Sequence, residues 1–361
     1  MNLFSDEELA YNTKLKTDLF NLVSSGDSIL FVGSGLSIPV GFPSWDGLLK
    51  QLETLALSVG TGFVADNNMR ENDPLLYADK IKKHFSDNSL LPRYYNKLHE
   101  TFDRKKPINF RESHKKLVRL PFPIILTTNY DTVLSDALLQ VQSEGQLPLE
   151  DLCVPVSDGT RPLVSKLLLA LHKSLDFPKK VAHLHGYFSR QNELVLTKSD
   201  YERCYNISLD GQTEKRSLSL HFLVLWSLMA TRRIVFVGFG MKDPYLKLLL
   251  ESVCRELWQW ERPTHINIAP IDSSSAKESI ADAKKLREEF GVDTFFYENG
   301  DGTFKELEEL INEIHDFIFP SQPQESPFTG PEQARDSGTE HTDWITKMNK
   351  KLSMGGENAN K

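Results

Sequence analysis

Two apolar runs in this chain, SILFVGSG (28–35) and RIVFVGFG (233–240), each break off into a pair of glycines. A short continuous apolar run reads as a strand buried on both faces, and glycines at its end let the backbone turn sharply or approach another group closely. Three further runs share the character, FPIILTTN (122–129), HINIAP (265–270) and DTFFYE (293–298), with KKVAHLHG (179–186) as a shorter candidate. Helical patterns lie between several of them, among them DPYLKLLLESVCRELWQW (243–260) and SSAKESIADAKKLREEF (274–290). Apolar strands alternating with helices predict an α/β fold, a Rossmann-like doubly wound parallel sheet.

The chain opens with a predicted helix over 5–25, with Ser5 as N-cap and acidic residues in its first turn. Two intervals break the strand–helix rhythm. Residues 58–120 are polar and helical, too long for one crossover, and 141–180 carry Gly and Pro signals before the leucine-rich LVSKLLLALHKSL. Both are read as helical insertions beside a nucleotide fold that occupies 1–320. The last predicted helix covers 303–319. From 321 to 361 the composition turns to Pro, Ser, Gly and polar residues, a linker-like tail that ends in the amphipathic segment WITKMNKKLSM. That segment is either a frayed end or a docking peptide for a partner or another subunit.

A formal net charge of −8 argues against a general nucleic-acid surface, and the basic run RKKPINFRESHKK (104–116) reads as a solvated face. Cys153, Cys204 and Cys254 stand about fifty residues apart, with no CxxC pair and no even disulfide framework. That spacing predicts a reducing compartment and no structural zinc. No apolar stretch is long enough to span a bilayer and the N-terminus is acidic, so a cytoplasmic protein is expected.

Five constellations could carry chemistry. FVGSGLSIPVGFPSW (31–45) places glycines at a strand end, where peptide N–H groups can bind a pyrophosphate; Gly33 and Gly35 could equally make a tight strand exit. Its spacing is neither GxGxxG nor GxxxxGK[ST]. In LTTNYDTVL (126–134), Asn129 can donate and accept, which suits a ribose hydroxyl or a water, although Asn129 and Asp131 could simply cap the helix that follows. In VAHLHGYFSR (181–190), His183 and His185 share one face of a strand. A histidine before glycine at a strand end suits a general base, while a lone histidine is more often structural. FVGFGMKDPY (236–245) is a second strand running into glycines and an acid-capped helix, and Asn267 ends the next strand.

Taken in this order over residues 20–300, the set resembles the sirtuin (SIR2-like) superfamily, especially its zinc-lacking branch in bacterial anti-phage defence. GSGLSIPVGFPSW is similar to the family's first glycine loop, TTNYD to its T-x-N-x-D signature and HLHG to its catalytic HG element. VGFGMKDP resembles the later glycine loop, and HINIAP the strand whose Asn meets the adenosine ribose. The resemblance implies that NAD+ is the substrate. Asn129 would hold the nicotinamide ribose and a water, Asp131 would support it, and His185 would act on a ribose hydroxyl as general base. Gly33, Ser34, Gly35 and Ser37 would surround the phosphates, Gly238 and Gly240 would close the other side, and Asn267 would fix the adenosine end.

The family's deacetylases carry two zinc-binding CxxC pairs and a G-I-P-D-F-R loop. This chain has no such pairs, and Gly41-Phe42-Pro43-Ser44-Trp45-Asp46 lacks the arginine. The expected activity is therefore NAD+ glycohydrolase, giving nicotinamide and ADP-ribose, with no metal. A zinc-free NAD-dependent protein deacylase and a non-catalytic NAD or ADP-ribose sensor are the rivals. Family analogy further implies a homo-oligomer and a translocase-type (HerA-like) ATPase, or another defence component, as partner.

Overall fold

The computed structural model describes residues 3–103, 110–143, 153–171, 179–206, 219–257, 265–300 and 302–320. The tail 321–361, residues 104–109 of the basic run and residues 144–152 and 172–178 of the interval 141–180 therefore lie outside the described residues. Seven strands are described: β1 (Ile29–Val32), β2 (Ile125–Thr127), β3 (Cys153–Pro155), β4 (Val181–His183), β5 (Ile234–Val237), β6 (His265–Ile271) and β7 (Val292–Glu298). They form one sheet in the order β3-β4-β2-β1-β5-β6-β7, and every adjacent pair is parallel. Strand β3 is an element that the apolar-run reading did not anticipate.

Parallel neighbours need crossovers, and helices supply them. In chain order the described helices are α1 (Asp6–Ser24), α2 (Trp45–Ser58), α3 (Asn67–Asn72), α4 (Pro74–Asp87), α5 (Leu91–Phe102), α6 (Glu112–Arg119) and α7 (Val133–Ser143), of which α1 precedes the first strand. There follow α8 (Arg161–Leu169), α9 (Lys198–Tyr205), α10 (Leu220–Thr231), α11 (Pro244–Leu257), α12 (Ala276–Phe290) and α13 (Lys305–Ile318). Helix α1 begins where expected: the Ser5 side chain accepts from the Glu8 N–H while the Glu8 carboxylate takes the Ser5 N–H. Among the described residues no helix is long and apolar enough to cross a membrane.

Alternation along the strands divides the core between the two sheet faces. Phe31, Leu126, Ala182 and Phe236 point to a core shared with α8 to α11. Leu30, Val32, Ile125 and Val235 point to a second core with α1, α6, α7 and α13. Such double burial explains why β1 and β5 are apolar throughout. A third core joins α2, α4 and α5 through Leu52, Tyr77, Phe85, Tyr94 and Phe102, and it also takes in Phe42, Tyr130 and Leu196. Those last residues follow β1, β2 and β4, so the helices of the 58–120 interval pack beside the carboxyl ends of the central strands.

Candidate functional site

Register places the expected residues on one edge of the sheet. Reading across the strands, His183 pairs with Thr127, Thr127 with Val32, Val32 with Val237 and Val237 with Ile268. One to three residues beyond that row stand Gly33 and Gly35 after β1, Asn129 after β2, His185 after β4, and Gly238 and Gly240 after β5. Strands β1 and β5 are neighbours whose onward connections run to opposite sides of the sheet. Open α/β sheets bind ligands at such a switch point.

At that point the two glycine loops touch each other. The Gly35 N–H donates to the Gly238 carbonyl at 2.8 Å. A Cβ on Gly33 or Gly35 would meet the Gly238 carbonyl oxygen at 2.6 or 2.8 Å, and one on Gly238, whose φ is +63°, would meet the Leu36 nitrogen at 2.5 Å. Three of the expected phosphate-binding glycines are thus required by loop-to-loop contact in the protein itself. Gly240 differs, because it is exposed and nothing lies within 4 Å of where its Cβ would be. Ser34 is half-buried and begins a short 3-10 turn, Ser34–Leu36.

Asn129 ties β2 to the first loop. Its backbone N–H donates to Thr127 Oγ1 at 3.0 Å, and Thr127 Oγ1 in turn donates to the Val32 carbonyl. Its Nδ2 donates to the Gly33 carbonyl at 3.2 Å and to Ser37 Oγ at 3.1 Å, which uses both amide hydrogens. Asn129 Oδ1 is buried without a hydrogen-bond partner among the described residues. A buried amide oxygen left bare is costly, by about 1–3 kcal/mol, unless a ligand or water supplies a donor. The helix-capping reading holds for Asp131, whose Oδ1 accepts from the Val133 N–H at the start of α7, and not for Asn129.

The two histidines separate in role. His183 stands between the Asn129 carbonyl at Nδ1 and Ser135 Oγ at Nε2, both at 3.2 Å, and burial pushes its pKa down to about 4. It braces β4 against β2. His185 is also buried, its pKa pushed down to about 3 by burial and by neighbouring His221. Its Nε2 lies 3.1 Å from the Tyr205 hydroxyl and its Nδ1 3.4 Å from the Tyr201 hydroxyl. Tyr201 donates onward to Asp243 Oδ2 at 3.1 Å, while Asp243 Oδ1 caps α11 through the Tyr245 and Leu246 N–H groups. The neutral imidazole is the form a base needs.

Asn267 sits apart from the edge. It pairs with Phe236 and Thr294, one residue short of the row, and both Asn267 Oδ1 and Thr294 Oγ1 are buried without partners among the described residues. The structure thus leaves unpaired acceptors on both sides of the β1–β5 junction.

Sequence reasoning missed Tyr201 and Tyr205. They lie one helical turn apart on α9, and only their i, i+4 spacing in DYERCY marked them. It also missed a clamp on the first loop. His114 Nδ1 accepts from the Arg111 N–H, so its Nε2 donates to the Leu36 carbonyl at 3.0 Å, and Arg111 Nη2 donates to the Pro39 carbonyl. Arg111 also pairs with Glu308 of α13.

Comparison with known proteins agrees with this arrangement. A sequence model of the SIR2-like domain matches residues 123–295, a span that holds Asn129, Asp131, His185, Gly238, Gly240 and Asn267 and leaves out the first glycine loop. The chain is 26% identical over 311 residues to the NAD(+) hydrolase ThsA of Bacillus cereus (strain MSX-D12), covering 83% of this chain and 56% of that protein. It is 26% identical over 260 residues to the protein of that name from Cytobacillus dafuensis, covering 68% and 42%. For the one from Enterococcus faecium it is 23% over 277 residues, covering 76% and 48%. The chain spans about half the length of the curated relatives it matches. Residues 123–295, which hold the Asn129 brace, the strand-end histidine and the second switch-point loop, match the SIR2-like domain model.

Proposed function

We propose that this chain is a NAD+ glycohydrolase that cleaves NAD+ and water to nicotinamide, ADP-ribose and a proton, and that it acts in anti-phage defence by depleting NAD+. One observation carries the reading: Asn129 spends its amide hydrogens on Gly33 and Ser37 and keeps a bare, buried Oδ1 at the switch point. A fixed acceptor there suits a ribose hydroxyl or the attacking water. Nicotinamide leaves as a neutral base, so the ribose carbon becomes cationic and needs an oriented oxygen nucleophile more than a strong leaving-group acid. His185, neutral and two residues beyond the row, supplies the base for a ribose hydroxyl. Gly240, the one loop glycine with open space over it, gives the phosphates their approach. Four relatives named NAD(+) hydrolase ThsA support the same reading.

A non-catalytic NAD or ADP-ribose sensor is the second reading, and the burial of His185 under Tyr205 favours it. Chromatographic resolution of the products, beside calorimetric titration with NAD+, separates the two. Nicotinamide with ADP-ribose supports the hydrolase; binding without turnover, alone or with phage-infected lysate, supports the sensor. The homo-oligomer and the translocase-type ATPase partner rest on the family resemblance, as sources of the restraint that an NAD-depleting enzyme needs.

A further inference from the structure

Asp243 belongs to the second glycine loop, yet its carboxylate reaches the histidine of another strand through one tyrosine. The Tyr245 and Leu246 N–H groups and the Tyr201 hydroxyl all donate to it and oppose the burial that raises its pKa. A phenol has one hydrogen. Since Tyr201 gives that hydrogen to Asp243, its oxygen can only accept from His185, which places a proton on Nδ1. The buried ring is neutral, so Nε2 carries the lone pair and accepts from Tyr205. The Tyr201–His185 distance of 3.4 Å is long, as hydrogen bonds in catalytic sites without substrate often are.

We propose that Asp243, acting through the Tyr201 hydroxyl, is a positioning residue that fixes the tautomer of His185 with its lone pair on Nε2. The residues around the relay hold it in place. Tyr201 packs edge-on against His185, with ring centroids 4.8 Å apart, and lies 4.9 Å from Tyr245. Helix α9 is pinned to α4 by Lys82, whose Nζ lies 3.0 Å from both Asp200 oxygens, and by Asp79, which accepts from the Ser199 N–H and hydroxyl. The second glycine loop therefore sets the protonation pattern of the base as well as lining the switch point. The consequence for turnover rests on the NAD+ glycohydrolase reading, whereas the tautomer itself does not.

Asp243→Asn inverts the pattern. Its amide oxygen keeps the α11 cap, its NH2 donates to Tyr201, and the Tyr201 hydrogen turns to Nδ1, leaving Nε2 protonated. Tyr201→Phe only removes the constraint, and the double variant Tyr201→Phe/Asp243→Asn removes the means by which asparagine imposes the wrong form. The test is imidazole 15N–1H correlation spectroscopy on the full chain labelled at its ten histidines, with His185 assigned by His185→Gln, alongside NAD+ kinetics. Expected are Nδ1–H in the wild type, Nε2–H in Asp243→Asn, and no imposed Nε2–H in the double variant. In kinetics, kcat of Asp243→Asn falls roughly 100-fold or more with KM little changed. The double variant recovers to the level of Tyr201→Phe. A wild type bearing Nε2–H, or an Asp243→Asn protein with an unchanged tautomer, overturns the proposal. Should Asp243→Asn not fold, Tyr201→Phe decides: a retained pure Nδ1–H form contradicts the relay, and a mixture supports it. If the wild type cleaves no NAD+, the hydrolase reading fails while the spectra still judge the tautomer.

Discussion

The Tyr205 hydroxyl stands 3.1 Å from Nε2 of His185, on the nitrogen that the proposed reaction needs. A ribose hydroxyl has to displace it. Tyr205→Phe removes that competitor and leaves the ring contacts in place. One net hydrogen bond is worth about 0.5–1.5 kcal/mol, so basal NAD+ turnover should rise by up to roughly tenfold. Steady-state rates of the two proteins check this. A fall in the Tyr205→Phe rate would mean that Tyr205 holds the imidazole for reaction.

The glycines divide by what constrains them. Gly238→Ala puts a Cβ 2.5 Å from the Leu36 nitrogen at a φ of +63°, which should destabilise the protein by about 1–3 kcal/mol, read in thermal melts. Gly240→Ala meets nothing within 4 Å and should leave the melting temperature unchanged. Its effect should appear in NAD+ affinity, as a Kd raised roughly tenfold or more by the methyl group at the phosphates. Unchanged NAD+ affinity in Gly240→Ala would remove Gly240 from the binding surface.

Much of this could be read from the amino-acid order, and the limits are physical. Doubly buried parallel strands are mostly apolar, so β1, β2, β5, β6 and β7 announce themselves despite the polar His265, Asn267, Asp293 and Thr294 in the last two. Strand β3 has three residues and ends at Pro155, too short for any pattern. Helix α10, LHFLVLWSLMAT, is apolar nearly all round, so its period is invisible. Asn129, His185 and the glycine loops were legible because their neighbours form motifs. What the glycines do was not, since the contact of Gly35 with Gly238 joins residues two hundred positions apart. The same holds for Tyr201 with Asp243: local order marks Asp243 as a helix cap and says nothing of its second oxygen.

Acid should destabilise the fold. His183, His185 and His265 are buried and neutral, their pKa values pushed by burial to about 4, 3 and 4. In the unfolded chain each titrates near 6.5, so their contribution is complete above that pH and is lost as pH falls, by about 2 kcal/mol each at pH 5. Asp136 opposes this: burial raises its pKa to about 7, so its contribution is lost as pH rises toward neutrality. His114 adds to the loss and Asp243, its carboxyl also raised by burial, opposes it; the three histidines set against Asp136 leave a loss of about 3 kcal/mol between pH 7 and pH 5. Thermal melts should fall by several degrees over that interval, and a flat or rising profile would contradict the assignment.

The loop clamp makes its own prediction. His114→Ala strips the Leu36 carbonyl of its buried donor, at a cost of about 1–3 kcal/mol, and frees the turn that carries Ser34 and Ser37. Lower thermal stability together with weaker NAD+ binding is expected, and His114→Gln, whose amide can donate to the same carbonyl, should restore part of both. Loss of stability with unaltered NAD+ affinity would detach the clamp from the site.

The most direct test of the central claim is NAD+ consumption by the purified full chain, with wild type, Asn129→Ala and His185→Ala compared and nicotinamide followed by chromatography. The account predicts stoichiometric nicotinamide and ADP-ribose from the wild type, with turnover lost in both variants while they remain folded. Undiminished cleavage by either variant would contradict the site described here.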